Sequence, residues 1–183
     1  MVKKVAVIVG SLRKDSWNRK LASVLMQLAP PTISMEFVEI GQLPLYNQDL
    51  DNNPPQAWVT FREQMKKFDG VLFATPEYNR SVPAPLKNAI DVGSRPYGQS
   101  IWNAKPGAVI SASPSAMGGF GANHHLRQCF VFLDIYCMPQ PEAYIARVDT
   151  LFEADGSVSK PETREFLQKF IDTFAQWVNR KWD

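Results

Sequence analysis

The feature that most constrains the fold is a mostly β-branched run at residues 5–9 (VAVIV) that stops at Gly10. Such a run is typical of a strand buried on both faces, as parallel strands are when helices cover both sides of a sheet. A polar loop follows Gly10, and then Leu21, Val24, Leu25 and Leu28 at helical spacing predict an amphipathic helix. The unpaired N–H groups and the dipole at a helix N-terminus favour negative charge. This strand, loop and helix therefore predict an anion site.

The side chains of the loop strengthen that prediction. Ser11, Arg13, Ser16 and Asn18 supply two hydroxyls, a guanidinium and a carboxamide within eight residues. The planar, permanently charged fork of an arginine suits phosphate oxygens. Ser16 alone would be explained as a helix cap, but four phosphate-compatible side chains favour a phosphate site.

The kind of phosphate follows from what the loop lacks. Only Gly10 of the dinucleotide pattern G-x-G-x-x-G is present, and Asp15 stands where the nucleoside-triphosphate loop needs its second glycine. A loop that binds with side chains suits a single terminal monophosphate instead. Flavin mononucleotide (FMN) ends in one.

Composition limits the class of protein. The 183 residues, with 45% apolar and 21% charged residues, are typical of one globular domain spanning 1–183. A net charge of +2 does not indicate a nucleic-acid surface, and no segment approaches the length of a membrane span. The N-terminal apolar run is too short for a signal peptide, so we expect a cytoplasmic protein.

The cysteines and histidines do not indicate a metal or thiol site. Cys129 and Cys137 lack a metal or redox spacing and are expected to be half-buried, reduced thiols. His124 and His125 are adjacent, so on a helix they diverge by about 100° and do not chelate one ion together. We expect no metal site.

Further along the chain, strand and helix patterns alternate five times. Strands are predicted over 32–40, 71–75, 107–112 and 135–144, with a helix after each. Prolines 54 and 55 are expected to open the second helix. A capping-box pattern at 159–162 starts the last helix, whose apolar stripe contains Phe166, Phe170, Phe174 and Val178. The alternation predicts a parallel sheet with right-handed crossovers and helices on both faces.

Three loops leave the carboxyl ends of strands, where open α/β sheets bind ligands: 10–18, 76–83 and 113–121. In the second loop, proline favours a rigid backbone, Tyr78 offers an aromatic contact and Asn79 an amide. Glu77 is equally well explained as a carboxylate at a helix terminus and as a ring contact. The three glycines of the third loop permit a close backbone approach to a ligand.

Several motifs together resemble those of the NADPH-dependent FMN reductases, and within them the bacterial quinone and chromate reductases. They are Gly10-Ser-Leu-Arg13 with Ser16 and Asn18; Pro76-Glu-Tyr-Asn79 with Pro83; Lys87-Asn-Ala-Ile-Asp91; Gly118-Gly119; and His125-Leu-Arg-Gln128. The resemblance covers nearly the whole chain. It implies a flavodoxin-like three-layer sandwich with five parallel strands in the order 2-1-3-4-5.

The resemblance also implies function. It points to bound FMN and hydride transfer from NADPH or NADH to quinones, with chromate, nitro and azo compounds as further acceptors. The flavin would carry the chemistry, so no catalytic side chain is expected. The residues implied to bind the cofactor are Ser11, Arg13, Ser16, Asn18, Arg19 (through its backbone amide), Pro76, Glu77, Tyr78, Asn79, Ser81, Ser113, Gly118 and Gly119.

Two other functions stay open at this point. One is an electron-transfer flavodoxin with a protein partner, although such carriers usually have a strongly charged docking face. The other is a flavin-bearing regulatory module. The choice between NADH and NADPH is also open.

An enclosed flavin site would need a second copy of the chain, as a homodimer or homotetramer. Apolar residues available for it are Leu43, Leu45, Tyr46, Val92, Tyr97, Ile101 and Trp102. The alternative is that these residues pack onto their own domain. The resemblance places Tyr46 and Asp49 near the partner's flavin and implies that Glu142, His124 or Arg127 ties dimers into a tetramer. Arg80 is expected on the interface or substrate side of the site, where solvated surface charge is the alternative.

Overall fold

The computed structural model describes residues 1–182, in which strands and helices alternate along the chain. The strands are β1 (Lys3–Val9), β2 (Ile33–Phe37), β3 (Gly70–Thr75), β4 (Pro106–Ser113), β5 (Tyr136–Cys137) and β6 (Ala143–Ala146). The α-helices are α1 (Trp17–Leu28), α2 (Gln56–Met65), α3 (Ala84–Gly93), α4 (Phe120–Leu133) and α5 (Pro161–Asn179). Within residues 1–182, no helix combines the length and apolarity needed to cross a membrane.

All strands pair in parallel, in the order β2-β1-β3-β4-β5, which confirms the predicted flavodoxin-like arrangement. The single strand predicted over 135–144 is wrong, because this position of the sheet holds two short strands. Both pair with β4: Tyr136 lies opposite Pro106, and Ala143 opposite Ile110. Residues 138–142 interrupt them and contain two prolines, which have no N–H group to donate to a ladder.

The core has two layers, one on each face of the sheet. Residues 5, 7 and 9 of β1 face α1 and α5, whereas residues 6 and 8 face α2, α3 and α4. All five side chains are buried, as expected of a central strand covered on both sides. The stripe predicted for α5 is also confirmed as core, with Phe170, Phe174 and Val178 buried and Phe166 packed against them.

Several element boundaries differ from the prediction. β2 ends at Phe37 rather than at residue 40. α2 begins at Gln56, with Pro55 as its N-cap. The capping box predicted at 159–162 is wrong: Lys160, not Ser159, is the N-cap of α5, and it makes no side-chain capping bond. The Ser159 hydroxyl is turned towards the carbonyls of Thr150 and Leu151, to which it donates.

Candidate functional site

The loop after β1 leads into an α1 N-terminus that is only partly capped. Ser16 is the N-cap, is 3% exposed, and accepts a hydrogen bond from the Arg19 backbone N–H at 3.2 Å. The N–H groups of Trp17 and Asn18 lie in the first turn, where no intrahelical acceptor exists. The structure thus gives Ser16 its capping role and leaves two N–H groups of the helix end for another acceptor.

The carboxamide of Asn18 links this helix end to β4. Its Nδ2 donates to the Ala112 carbonyl at 3.2 Å. Its Oδ1 is buried and finds no hydrogen-bond partner in residues 1–182. Since buried polar atoms are normally paired, this orphaned oxygen indicates a group that the protein itself does not supply.

The cations of the loop differ in what they contact. Arg13 is exposed and forms no ion pair within the described chain, so its guanidinium is available to an anion. The Ser11 hydroxyl lies 3.4 Å from the Arg13 backbone nitrogen. The Arg19 side chain turns towards β2 and pairs with Glu39, while its backbone N–H already donates to Ser16.

The second loop is a tight turn. Tyr78 and Ser81 exchange two backbone hydrogen bonds of 3.1 and 2.9 Å. The two residues between them, Asn79 and Arg80, have φ of 51° and 66°, as a type I′ turn requires. The predicted rigid backbone therefore has a structural basis, and the turn presents the half-exposed Tyr78 ring.

Two side chains fasten this turn to α4. The Glu77 carboxylate accepts a hydrogen bond from the Ala122 N–H at 3.2 Å and so caps the α4 N-terminus from another loop. The Ser81 hydroxyl lies 2.9 Å from Nδ1 of His125. Arg80 extends into solvent and reaches the Glu77 carboxylate at 3.4 Å. Both Glu77 and Ser81 thus have partners within the protein.

The glycines of the third loop meet protein rather than open space. Gly118 and Gly119 have φ of 58° and 79°, which glycine adopts most easily. A Cβ on Gly118 would lie 2.7 Å from the Tyr144 carbonyl carbon, and one on Gly119 would lie 2.9 Å from the Ser111 Cβ. Packing against β6 and β4 therefore requires both glycines. Ser113 precedes them, and its hydroxyl accepts from the Ser115 N–H at 3.1 Å.

A buried polar network beneath this loop was missed by the sequence analysis. The Ser111 hydroxyl donates to the Gly118 carbonyl at 2.8 Å, and Asn123 Nδ2 donates to that hydroxyl at 3.3 Å. Arg127 Nε donates to Asn123 Oδ1 at 3.0 Å. The only sign of this network in the sequence was Asn123, a polar residue amid the apolar positions of α4. The network positions the backbone of the third loop.

Four of the residues predicted for a subunit interface, Leu43, Leu45, Tyr46 and Asp49, lie in the β2–α2 connection. The Tyr46 backbone donates to Asn88 Oδ1 at 2.8 Å, and its hydroxyl donates to Asp51 at 3.0 Å. Desolvation, aided by the Asp51 carboxylate, raises the pKa of the Tyr46 hydroxyl. Asp49 is exposed in the same segment. This connection is thus held firmly to α3.

The assembled edge suits binding better than acid–base chemistry. It offers an exposed guanidinium, helix N–H groups, a rigid turn and a glycine loop at the carboxyl ends of β1, β3 and β4. Within residues 1–182, no group of three or more His, Cys, Asp or Glu side chains is arranged to hold a metal ion. Cys129 and Cys137 are free and half-buried, as predicted, and burial raises the pKa of both thiols.

Comparisons with known proteins match this architecture. The family model of the NADPH-dependent FMN reductases matches residues 3–150. A quinone reductase of Pseudomonas putida is 59% identical, with 97% of this chain and 95% of the relative covered. A 2-hydroxy-1,4-benzoquinone reductase of a Burkholderia species is 49% identical, with 97% of each chain covered. The solved structure of FerB, a flavoenzyme NAD(P)H:(acceptor) oxidoreductase from Paracoccus denitrificans, superimposes with a TM-score of 0.91 at 45% identity, covering 97% of this chain and 98% of FerB.

Proposed function

The chain belongs to the NADPH-dependent FMN reductase family, and from this premise we infer that it is an FMN-dependent enzyme that oxidises NADPH or NADH and reduces quinones. Two relatives that match nearly its whole length carry quinone reductase names, which supports quinones as the acceptor class.

The observation that carries the cofactor assignment is the unfinished anion site after β1. The orphaned Oδ1 of Asn18, the unpaired Arg13 and the free N–H groups of α1 fit the phosphate end of FMN, with a ribityl hydroxyl able to donate to that oxygen. Ser11 and Ser16 would complete this end. The ring would lie against residues 76–79 and 81, with the pyrimidine side towards Ser113, Gly118 and Gly119.

The protein's own part is placement. Bound FMN supplies the hydride-transfer chemistry. Glu77 and Ser81 keep the second loop in position against α4, and the network through Asn123 holds the third loop. Both loops are therefore rigid before any ligand binds, which lowers the entropic cost of binding.

Steady-state kinetics test this function. With FMN-loaded protein, NADPH and benzoquinone, we expect parallel double-reciprocal lines, because reductant and oxidant must occupy one binding face in turn. Protein stripped of FMN is the control and should be inactive until FMN is restored. Intersecting initial-rate lines would contradict a shared binding face, and no quinone reduction by loaded protein would contradict the function.

The same experiment separates the enzyme from an electron carrier. A carrier would need a protein partner to turn over and usually has a strongly charged docking face, whereas this chain has a net charge of only +2. Sustained quinone reduction by the purified protein alone favours the enzyme.

The range of acceptors is a finer part of the proposal. Chromate, nitro and azo compounds are proposed as further acceptors from the family resemblance. NADPH-dependent loss of chromate absorbance, with FMN-free protein as the control, measures this directly. We also propose a cytoplasmic location, which the two free thiols support.

We propose a homodimer or a dimer of dimers. Val92, Ile101 and Trp102, suggested above as interface residues, are buried in the chain's own core, so that suggestion is wrong for them. Leu45 and Tyr97 remain exposed, and α4 adds Val131 and Phe132, which are 84% and 87% exposed. Adjacent exposed apolar side chains of this kind indicate an interaction surface.

A cavity of about 620 Å³ lies beside this surface and supports the same proposal. Its walls include Tyr46, Arg95, Tyr97 and Phe132. A second copy seated here would also lie close to the β2–α2 connection that carries Asp49.

The side chains suggested for a contact between dimers already have partners within their own chain. His124 Nε2 lies 3.0 Å from the Tyr144 hydroxyl, and Arg127 donates to Asn123 and to the Met138 carbonyl of its own chain. Glu142 is half-buried beside them. A tetramer contact would have to share these groups.

A further inference from the structure

A second cleft opens at the carboxyl edge of the sheet, between the loop after β1 and the end of β2. It has a volume of about 220 Å³. Its lining includes Ser11 and Arg13, which the flavin assignment already uses, and Arg19, Phe37 and Glu39, whose side chains it does not use. With FMN bound, the cleft therefore offers a second ligand one guanidinium, one carboxylate and an aromatic face.

The charged pair at its centre is well ordered. Arg19 Nη2 lies 2.6 Å from Glu39 Oε1, and the Arg19 guanidinium carbon lies 4.3 Å from the centre of the Phe37 ring. The side chains of Arg19 and Glu39 remain 42% and 56% exposed, so a ligand can reach both. The flavin assignment above does not use either side chain.

The position of the cleft relates it to the flavin site. Asn18 points from the first turn of α1 towards β4, whereas Arg19 points towards β2. The cleft therefore lies across the 10–18 loop from the β4 side, on the same edge of the sheet. In the dinucleotide-binding Rossmann fold, a carboxylate beyond the glycine-rich loop binds the adenosine ribose hydroxyls, and a nearby arginine accommodates a 2′-phosphate. This chain lacks that glycine-rich loop, so the likeness is confined to the charged pair beside β2.

We propose that this cleft binds the adenosine end of the pyridine nucleotide, with Arg19 contacting the 2′-phosphate of NADPH and Glu39 the ribose hydroxyls of NADH. The proposal rests on the proposed function and adds the residues that discriminate between the two reductants. Because the Arg19 guanidinium attracts the phosphate of NADPH and the Glu39 carboxylate repels it, the site accepts both nucleotides. Removing the guanidinium shifts the preference towards NADH, and removing the carboxylate charge shifts it towards NADPH.

Arg19→Ala and Glu39→Gln test this inference in the FMN-loaded enzyme. Arg19→Ala should raise KM for NADPH about five- to tenfold, the lower range for a charge-assisted bond at a partly exposed site. KM for NADH and both kcat values should change less than about twofold. Glu39→Gln should raise KM for NADH and lower that for NADPH, each about two- to threefold, since it removes an acceptor of ribose hydroxyls and a charge that repels phosphate.

Glu63→Gln is the matched control. Glu63 is 60% exposed and pairs with Lys66 at 2.6 Å, as Glu39 does with Arg19, but it lies on α2 away from the cleft. The Glu63→Gln variant should have the same KM values for NADPH and NADH as the parent. Equal changes for both nucleotides in Arg19→Ala, or no change in either variant, would overturn the proposal.

A binding measurement separates this inference from the proposed function. Calorimetry of the FMN-loaded protein with 2′,5′-ADP should give binding that weakens in Arg19→Ala, with inorganic phosphate as the control for a nonspecific anion. Absence of 2′,5′-ADP binding, or equal binding by both proteins, overturns the site even if quinone is reduced. Binding that depends on Arg19 supports it even if quinone is not the acceptor.

Discussion

Arg13 is the residue on which the phosphate assignment most directly depends, because its guanidinium is exposed and forms no ion pair within residues 1–182. We predict that Arg13→Ala weakens FMN binding about tenfold, the lower end for a charge-assisted hydrogen bond. Quenching of flavin fluorescence on titration of FMN-free protein measures this. Lys14→Ala removes a neighbouring exposed charge and should change affinity less than about twofold. Equal affinity of Arg13→Ala and the parent would contradict the phosphate assignment.

Tyr144 predicts a pH dependence of stability. Desolvation, together with the Glu142 carboxylate, raises the pKa of its hydroxyl to about 12. Since the unfolded chain releases this proton near pH 10, the stability contributed by the protonated hydroxyl is complete below pH 10 and is lost as the pH rises towards 12. The free energy of unfolding in urea should fall more steeply over this pH range for the parent than for Tyr144→Phe. Identical pH profiles would show that the hydroxyl titrates normally.

At the scale of elements, the Glu77 carboxylate joins the loop after β3 to the N-terminus of α4. Glu77 caps α4 although it belongs to the loop after β3. We predict that Glu77→Ala lowers the free energy of unfolding of the FMN-free protein by about 1 kcal/mol, as loss of a helix cap does. Urea denaturation is the measurement.

The control for this cap is Glu63→Ala on α2, which loses only an exposed pair with Lys66 and should cost less than about 0.5 kcal/mol. Equal losses from the two variants would mean that Glu77 is not a cap.

Helices and strands with a clear local pattern of apolar residues were predictable from the sequence. The residues at which they begin and end were not. The runs of β1, β3 and β4 and the stripe of α5 were confirmed, because burial on one or both faces is written into the order of apolar residues. The capping box at residue 159 failed because the helix begins one residue later, with Lys160 as its N-cap, and the Ser159 hydroxyl is turned towards the Leu151 carbonyl. Local patterns do not contain such partners.

At the scale of the whole molecule, the exposed apolar surface on α4 predicts self-association. We expect light scattering at micromolar concentration to give about twice the chain mass of 20.7 kDa, or four times for a tetramer. Phe132→Glu should shift the protein towards monomer, because a charge in an apolar interface is costly to desolvate.

Gln176→Glu, an exposed position on α5, is the matched control and should leave the mass unchanged. A parent that is monomeric and fully active would contradict the interface.

The sequence by itself determined the strand and helix alternation, the parallel sheet and the three loops at one edge, since each depends on residues close together in the chain. It also singled out the phosphate-compatible side chains after β1. Only the tertiary structure decided what those side chains touch: Asn18 reaches β4, Arg19 reaches Glu39, and Glu77 caps α4. It also showed that Gly118 and Gly119 are required by packing. The reason is physical: hydrophobic periodicity records burial, whereas a polar side chain's partner depends on distances set by the folded chain.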